Sequence, residues 1–316
     1  MTGGAGFIGS NFIRHIMDTR HDCEIVNLDN LTYAGNLANL KDFDSNPRYT
    51  FIKGDICNHD LVGSLFKKNR FDAVIHFAAE SHVDRSIVDT SIFIRTNIVG
   101  TNVLLDCARK YAVPRFMHIS TDEVYGSTLK GSFKETDCLL PSSPYSASKA
   151  GSDLLAKSYF TTYNLPVIIT RCTNNYGPYQ YPEKLIPLFI TNIIEGRKVP
   201  IYGTGNNIRD WIHVADHCRA ISCILEKGTD GEIYNIGAGN ERTNLEITRK
   251  ILDLMKYDES VIEHVSDRPG HDFRYSLDCS KLNSLGWKPV HSFETGLMDT
   301  VEWYIRNKWW WKPLKK

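Results

Sequence analysis

The chain has 316 residues, 42% hydrophobic and 23% charged, which fits a globular enzyme of about two domains and excludes a disordered chain. Its 37 basic and 37 acidic side chains cancel. Nothing in that balance favours nucleic acid or a membrane surface as a partner, so an anionic ligand must meet a local cluster of basic groups. Eight cysteines are scattered without a CxxC pair, and neither a signal-peptide core nor a bilayer-length apolar run occurs. Reduced thiols and a cytoplasmic location are the default expectation.

The opening MTGGAGFIGS places Gly4-x-Gly6-x-x-Gly9, and the variant Gly3-x-x-Gly6-x-x-Gly9, at the spacing of a dinucleotide-binding turn. Glycines let such a turn approach a pyrophosphate, whose charge is met by the N-terminus of the helix that follows. Ile8, Phe12 and Ile16 repeat at helical spacing after it. The apolar runs 24–29, 49–55, 72–80, 115–121 and 166–171 read as strands. They are continuous rather than alternating, as in a parallel sheet covered on both faces. Ile94, Ile98 and Leu105 mark a helix over 92–111. Ser143 and Pro144 read as the cap and first residue of another, closed by Leu165-Pro166.

Alternating strands and helices predict an α/β fold, a doubly wound parallel (Rossmann) sheet. Beyond residue 172 the loops NNYGPYQYPEK and IYGTGNNIRD interrupt shorter helices. They predict a smaller, discontinuous C-terminal α/β domain. The expected division is 1–171, with about 208–238, for the dinucleotide-binding domain, and 172–207 with 239–316 for the substrate domain.

Three clusters carry chemistry. Asp29 ends the 24–29 strand twenty residues after Gly9. An acidic group there accepts from adenosine ribose hydroxyls and repels a 2′-phosphate, so NAD is favoured over NADP. Tyr145-x-x-x-Lys149 puts a phenol and an ammonium on one helix face. A neighbouring cation lowers a phenol's proton affinity and makes it available as a general base, although a solvated helix face produces the same pattern. Ser120-Thr121-Asp122-Glu123 leave the carboxyl end of a strand, where open α/β sheets hold ligands. Helix capping is the plain alternative for these acids. Two adjacent carboxylates otherwise suit an elimination, in which one proton leaves carbon while another is given to oxygen.

His213 and His217 sit four apart, but no HExxH glutamate or third ligand accompanies them, so packing is expected and no metal. The tail WYIRNKWWWKPLKK reads as a segment that docks through its aromatics.

The glycine turn followed by Tyr145 and Lys149 resembles the short-chain dehydrogenase/reductase family in its extended form. HISTDEVYGS (118–127), HFAAESHVDRS (76–86), RCTNNYGPYQYPEKLIP (171–187), RDWIHVADH (209–217) and DRPGHD (267–272) narrow the resemblance to the dTDP-glucose 4,6-dehydratase family, end to end. Phe273 departs from it, at a position where the family often has a second arginine.

The resemblance implies NAD-dependent conversion of dTDP-glucose to dTDP-4-keto-6-deoxyglucose, in 6-deoxysugar biosynthesis. Tyr145, aided by Lys149 and Thr121, would deprotonate the C4 hydroxyl while the C4 hydride passes to NAD. Glu123 would then remove the C5 proton and Asp122 would protonate the departing C6 hydroxyl, before the hydride returns to C6. That scheme requires a neutral Asp122 beside an ionised Glu123.

It also implies that Phe7, Ile8, Asn30, Leu31, Thr32 and Asp55 line the cofactor beside Gly3, Gly6, Gly9 and Asp29, with Asp55 suited to the adenine amino group. Ile56, Phe77, Ala78, Ala79, Ser81, Thr96 and Asn175 complete that lining. For the sugar nucleotide it implies Glu80 or Ser81, Thr121, Asn174, Lys184, Leu185 and Pro200, then Tyr202, Arg209, Asn244, Arg268 and His271. Arg209 and Arg268 suit a diphosphate.

A homodimer through helices 92–111 and 144–163 is expected. The alternatives are a UDP-sugar 4,6-dehydratase, a 4-epimerase of the same superfamily, which needs no extra carboxylate pair, or a non-catalytic NAD-binding module. Only Met1 and Thr2 precede the glycine turn, where a central strand is expected. An earlier start to the chain is therefore expected, with poorer NAD binding and lower stability for a protein beginning at Met1.

Overall fold

The computed structural model describes residues 1–315. Its strands, in chain order, are β1 (Ile25–Asp29), β2 (Tyr49–Lys53), β3 (Val74–His76), β4 (Phe116–Thr121), β5 (Val167–Cys172) and β6 (Asn174–Tyr176). They continue as β7 (Val199–Tyr202), β8 (Ile208–His213), β9 (Ile233–Ile236), β10 (Glu241–Thr243) and β11 (Ile262–Val265). The parallel sheet that the apolar runs predict is present. β2 pairs with β1, and β3, β4, β5 and β9 follow one another, all parallel.

Met1–Gly3 joins the two parts. Thr2 bridges both Leu28 and His76, donating its N–H to the Ile75 carbonyl at 3.1 Å and accepting from the Phe77 N–H at 3.0 Å. Leu28 donates to the Met1 carbonyl and Gly3 to the Leu28 carbonyl. These residues hold the central position at which the sequence reading finds a strand nearly missing.

β4 and β5 are buried along their whole length. One face of the sheet is covered by the helices Phe7–Thr19 and Val214–Lys227, through Phe12, Ile13, Ile221 and Ile224. The other is covered by His59–Lys68, Thr101–Lys110 and Pro144–Tyr163, through Phe66, Leu104, Ala156 and Tyr159. Burial of each such side chain contributes about 1.5–3 kcal/mol, so two-sided coverage explains why these strands carry no polar alternation.

Two local predictions are corrected. The 72–80 strand shortens to β3, because from Phe77 the backbone turns away to line a cavity. The 92–111 segment is not one regular helix: Ile94–Gly100 is a π-helical stretch leading into Thr101–Lys110. Its wider turn breaks the 3.6-residue phase, so Ile94 is 51% exposed while Leu105 is fully buried.

Helix Pro144–Tyr163 starts as its sequence predicts. Ser143 Oγ accepts from the Ser146 N–H and Ser146 Oγ accepts from the Ser143 N–H, a reciprocal capping box. Asn164, at φ 56°, ends it in the left-handed conformation before Leu165-Pro166.

A second set of elements builds its own core. β8 pairs with β6 and β10, and β7 with β11. Tyr176, Phe189, Ile190, Trp211, Ile251 and Leu297 pack together there with Tyr304, Trp310 and Trp311. The tail docks by its aromatics as expected: Trp310 and Trp311 are buried, and Trp310 Nε1 donates to Asn39 Oδ1 at 2.7 Å. Asn39 in turn donates to the Ala5 carbonyl inside the glycine turn. Among the described residues, no helix is long and apolar enough to cross a membrane.

Candidate active site

The glycine turn lies between β1 and β3 and is tightly closed. Gly3 has φ 71°, and a Cβ there would lie 2.5 Å from the Ala78 nitrogen; one on Gly9 would lie 2.3 Å from the Gly3 carbonyl oxygen. Larger residues would push the turn open. Asn27 Oδ1 accepts from the Gly4 N–H, and the Asp29 carboxylate accepts from the N–H groups of Ala5 and Leu31. Asp29 thus braces the turn on one side and the next loop on the other. The first helix is capped at Gly6 without any side chain, leaving its first-turn amides toward the cavity that residues 6–9 line.

The lining of that single cavity falls into two groups. Gly3, residues 6–9, Asp29, Asn30, Thr32, Asp55, Ile56, residues 77–81 and Thr96 make its glycine-turn arm. Thr121, Glu123, Tyr145, Lys149, Asn174, Asn175 and Lys184 make the rest. Of the residues assigned to the cofactor by resemblance, only Leu31 is outside the lining; it stands behind Asp29 in a left-handed conformation. Asp55 accepts from the Cys57 N–H and pairs with Arg95 at 3.2 Å.

Tyr145 and Lys149 are both buried. Lys149 Nζ donates to the Ile119 carbonyl at 2.7 Å, and burial lowers its pKa to about 8, with Asp153 opposing the shift. Tyr145 runs against expectation. Burial first, then Glu123, hold its phenol well above the usual tyrosine range, and a hydrogen bond with Thr121 is the main opposing influence. The expected lowering by Lys149 is not among the main influences on Tyr145; its ammonium donates to the Ile119 carbonyl instead.

Asp122 and Glu123 leave β4 in a short 3-10 turn. Asp122 is raised well above the usual carboxylate range, by burial and then by Glu123; its Oδ2 has no hydrogen-bond partner. Glu123 is also raised by burial, but Arg268, Arg209 and Lys184 all pull the other way.

The remaining expected sugar-nucleotide residues stand on the second set of elements, outside the cavity lining. Tyr202 OH donates to Asp84 Oδ2 and Arg268 pairs with Asp84 Oδ1 at 3.4 Å. The His271 ring lies 6.2 Å from Tyr202, and His271 Nδ1 meets Asp267 at 2.6 Å. Buried Arg209 stacks on Tyr275, its guanidinium donating to the carbonyls of Ile208 and Asp272. Leu185 and Asn244 open helices, and Pro200 lies on β7 opposite Glu263.

The family model described as GDP-mannose 4,6 dehydratase matches residues 1–300. The chain is 52% identical over 320 residues to a dTDP-glucose 4,6-dehydratase of Streptomyces niveus, covering all of this chain and 95% of that one. It is 49% identical to the Escherichia coli protein of the same description, covering 99% and 94%. A crystal structure of DesIV, a dTDP-glucose 4,6-dehydratase from Streptomyces venezuelae with NAD bound, superposes at a TM-score of 0.96 with 54% identity, covering 99% and 98%. The chain belongs to the dTDP-glucose 4,6-dehydratase family.

In this family member the cavity wall also includes residues that sequence reasoning passed over, Tyr33, Gln180, Tyr181 and Glu183, and His217, which it assigned to packing. His217 Nδ1 pairs with Asn175 Oδ1 at 2.8 Å. His213 instead caps the helix Val214–Lys227, its ring 4.3 Å from His291, so the two histidines do not converge. Behind Lys149, buried Asp153 is held by Arg171 Nε at 2.8 Å, and Arg171 donates to Tyr125 OH. Polar residues inside otherwise apolar strands, Asn27 in EIVNLD and Arg171 in PVIITR, are the available sequence signals for the contacts behind the turn and behind Lys149.

Proposed function

We propose that the chain eliminates water from dTDP-glucose to give dTDP-4-keto-6-deoxyglucose, with NAD held in the glycine-turn arm of the cavity. One observation carries this reading: a single cavity joins that arm to Tyr145, Lys149 and Glu123, with Asp122 buried directly behind Glu123 and its proton affinity raised further.

The residues present fit a dinucleotide. The uncapped helix N-terminus suits a pyrophosphate, and the fixed Asp29 carboxylate suits ribose hydroxyls and disfavours a 2′-phosphate. Bound NAD supplies reversible two-electron oxidation of the sugar. Tyr145, beside Thr121, would take the proton of the C4 hydroxyl as its phenolate, a form that burial and Glu123 disfavour and that the positive charges of Lys149 and of a bound nicotinamide ring would favour. Once C4 is a ketone, its α-proton at C5 is acidified, and Glu123 removes it. Asp122, the carboxyl raised further by burial and by Glu123, gives its proton to the C6 hydroxyl, which leaves as water. Arg268, Arg209 and Tyr202 take the nucleotide end.

This reading divides the chain into a cofactor domain, residues 1–171 with the segment from Val214 to about 238, and a substrate domain formed by the rest, including β8, which pairs with β6 and β10. Pairing of β9 with β5 and packing of Val214–Lys227 on the sheet support returning the later segment to the first domain. Exposed Ile92, Val99, Leu154 and Tyr163 on the helices at 91–110 and 144–163 support a homodimer through those faces. Eight free cysteines support a reducing cytoplasm.

Mass spectrometry of dTDP-glucose incubated with the protein tests the reaction. Loss of one water without added NAD is expected, at a higher initial rate than on UDP-glucose. An unchanged sugar, or a C4 epimer, overturns the assignment.

A further inference from the structure

Two distant segments, residues 81–85 and 181–184, are tied across the cavity. Lys184 Nζ donates to the Ser81 carbonyl at 3.0 Å. Glu183 Oε2 lies 3.4 Å from Arg85 and 3.6 Å from His82. A third segment joins them: the Arg85 guanidinium lies 3.8 Å over the Tyr33 ring, and Tyr33 meets Tyr181 edge to face at 5.6 Å.

These contacts form two layers. Tyr33, Tyr181 and Glu183 face the cavity. The Tyr33 hydroxyl and Glu183 Oε1 are buried there without a protein partner. Arg85 is outside the lining, its side chain 48% exposed, and touches Tyr33 and Glu183 from behind. Tyr33 follows directly on the Asp29–Thr32 stretch, so the joined side chains close the cavity next to the proposed cofactor ribose.

We propose that Arg85 pins Tyr33 and Glu183 into a strap over the cofactor arm, and that opening of this strap sets the rate at which NAD leaves. The inference rests on the assignment of NAD to that arm. Arg85 is a positioning residue: it acts through Tyr33 and Glu183 and touches neither sugar nor cofactor. Arginine suits the task because one planar group can stack on an aromatic face and still pair with a carboxylate.

The test measures NAD content of the purified full-length protein and the rate at which NAD is released to an excess of an NAD-consuming enzyme. Arg85→Ala is expected to release NAD about fivefold faster, the size of one exposed stacking contact plus one weak ion pair. Arg85→Lys should recover only part of the loss. Tyr33→Leu should also speed release, and adding Arg85→Ala to it should change less than Arg85→Ala does alone, because the two share the stacking contact and only the pair with Glu183 is left to lose. With NAD saturating, kcat of Arg85→Ala should stay within about twofold of the parent.

Unchanged release in Arg85→Ala overturns the strap, as do independent, additive effects of the two substitutions. A fall in kcat matching the loss of NAD retention overturns it too, by placing Arg85 in the sugar chemistry. A parent protein that neither carries nor takes up NAD overturns the functional reading and the strap together. A parent that carries NAD beside an unaffected Arg85→Ala overturns the strap alone.

Discussion

Asp122 and Glu123 are consecutive in sequence but are held under different constraints: Arg209 pulls both toward the ionised form, Arg268 and Lys184 pull Glu123 further, and Asp122 has burial and Glu123 itself against its charge. Close carboxylates push each other's proton affinities apart, and the placement of Arg268 and Lys184 favours Glu123 as the partner that yields its proton. This asymmetry supports the proposed roles of Asp122 as acid and Glu123 as base.

Removing either role should stall elimination after C4 oxidation. Asp122→Asn and Glu123→Gln are each expected to lower turnover by about 10²- to 10⁴-fold, with reduced cofactor accumulating on mixing with dTDP-glucose. Stopped-flow absorbance reads this directly; normal water loss in both variants contradicts the roles. Tyr145→Phe should instead show no reduced cofactor at all.

Lys149 gives a pH signature with two opposite signs. Its ammonium, held at a pKa of about 8 rather than 10.5, is present below pH 8 and lost as pH rises through that value. kcat/KM should therefore decline on the alkaline side from about pH 8. Over the window from about 8 to 10.5 the unfolded chain binds the extra proton, so this group's contribution to stability rises with pH. A falling kcat/KM alongside steady or rising urea stability in that window is the expected pair of curves, and activity flat to pH 10.5 contradicts it.

The capping box at Ser143 anchors the helix that carries Tyr145 and Lys149. Ser143→Ala removes the side-chain half of that exchange and should cost about 1 kcal/mol. The urea midpoint should fall with an unchanged m-value; an unshifted midpoint would show that the Ser146 contact suffices.

The two arginines of the nucleotide end should separate in their effects. Among the described residues the Arg268 side chain pairs with Asp84 through a 3.4 Å contact, so Arg268→Ala should raise KM for dTDP-glucose about tenfold, one phosphate-directed ion pair's worth, with little loss of stability. Arg209 is buried and donates to several backbone carbonyls. Arg209→Ala should lower the melting temperature as well as raise KM. Equal melting temperatures for the two variants would contradict this difference.

Much of the site was legible because its signals are local. The glycine spacing, Asp29 at a strand end, the i,i+4 pair Tyr145 and Lys149, and the acids after β4 each follow from one element's geometry. The opaque features depend on contacts between segments far apart in sequence. Met1–Gly3 enters the sheet because Leu28 and Ile75 offer backbone partners on either side, which two residues of sequence cannot announce. The π-helical stretch at Ile94–Gly100 has no proline to mark it. The raised proton affinity of Tyr145 depends on burial and on Glu123, and spacing specifies neither.

The contact from Trp310 to Asn39, and from Asn39 to the Ala5 carbonyl, makes the late tail a brace for the glycine turn. Proteolytic trimming of residues 308–315 would leave every proposed catalytic group in place yet free the Asn39 amide that steadies Ala5. The loss would then register as weakened NAD affinity rather than as failed chemistry, so a nicked preparation could pass for one merely starved of cofactor.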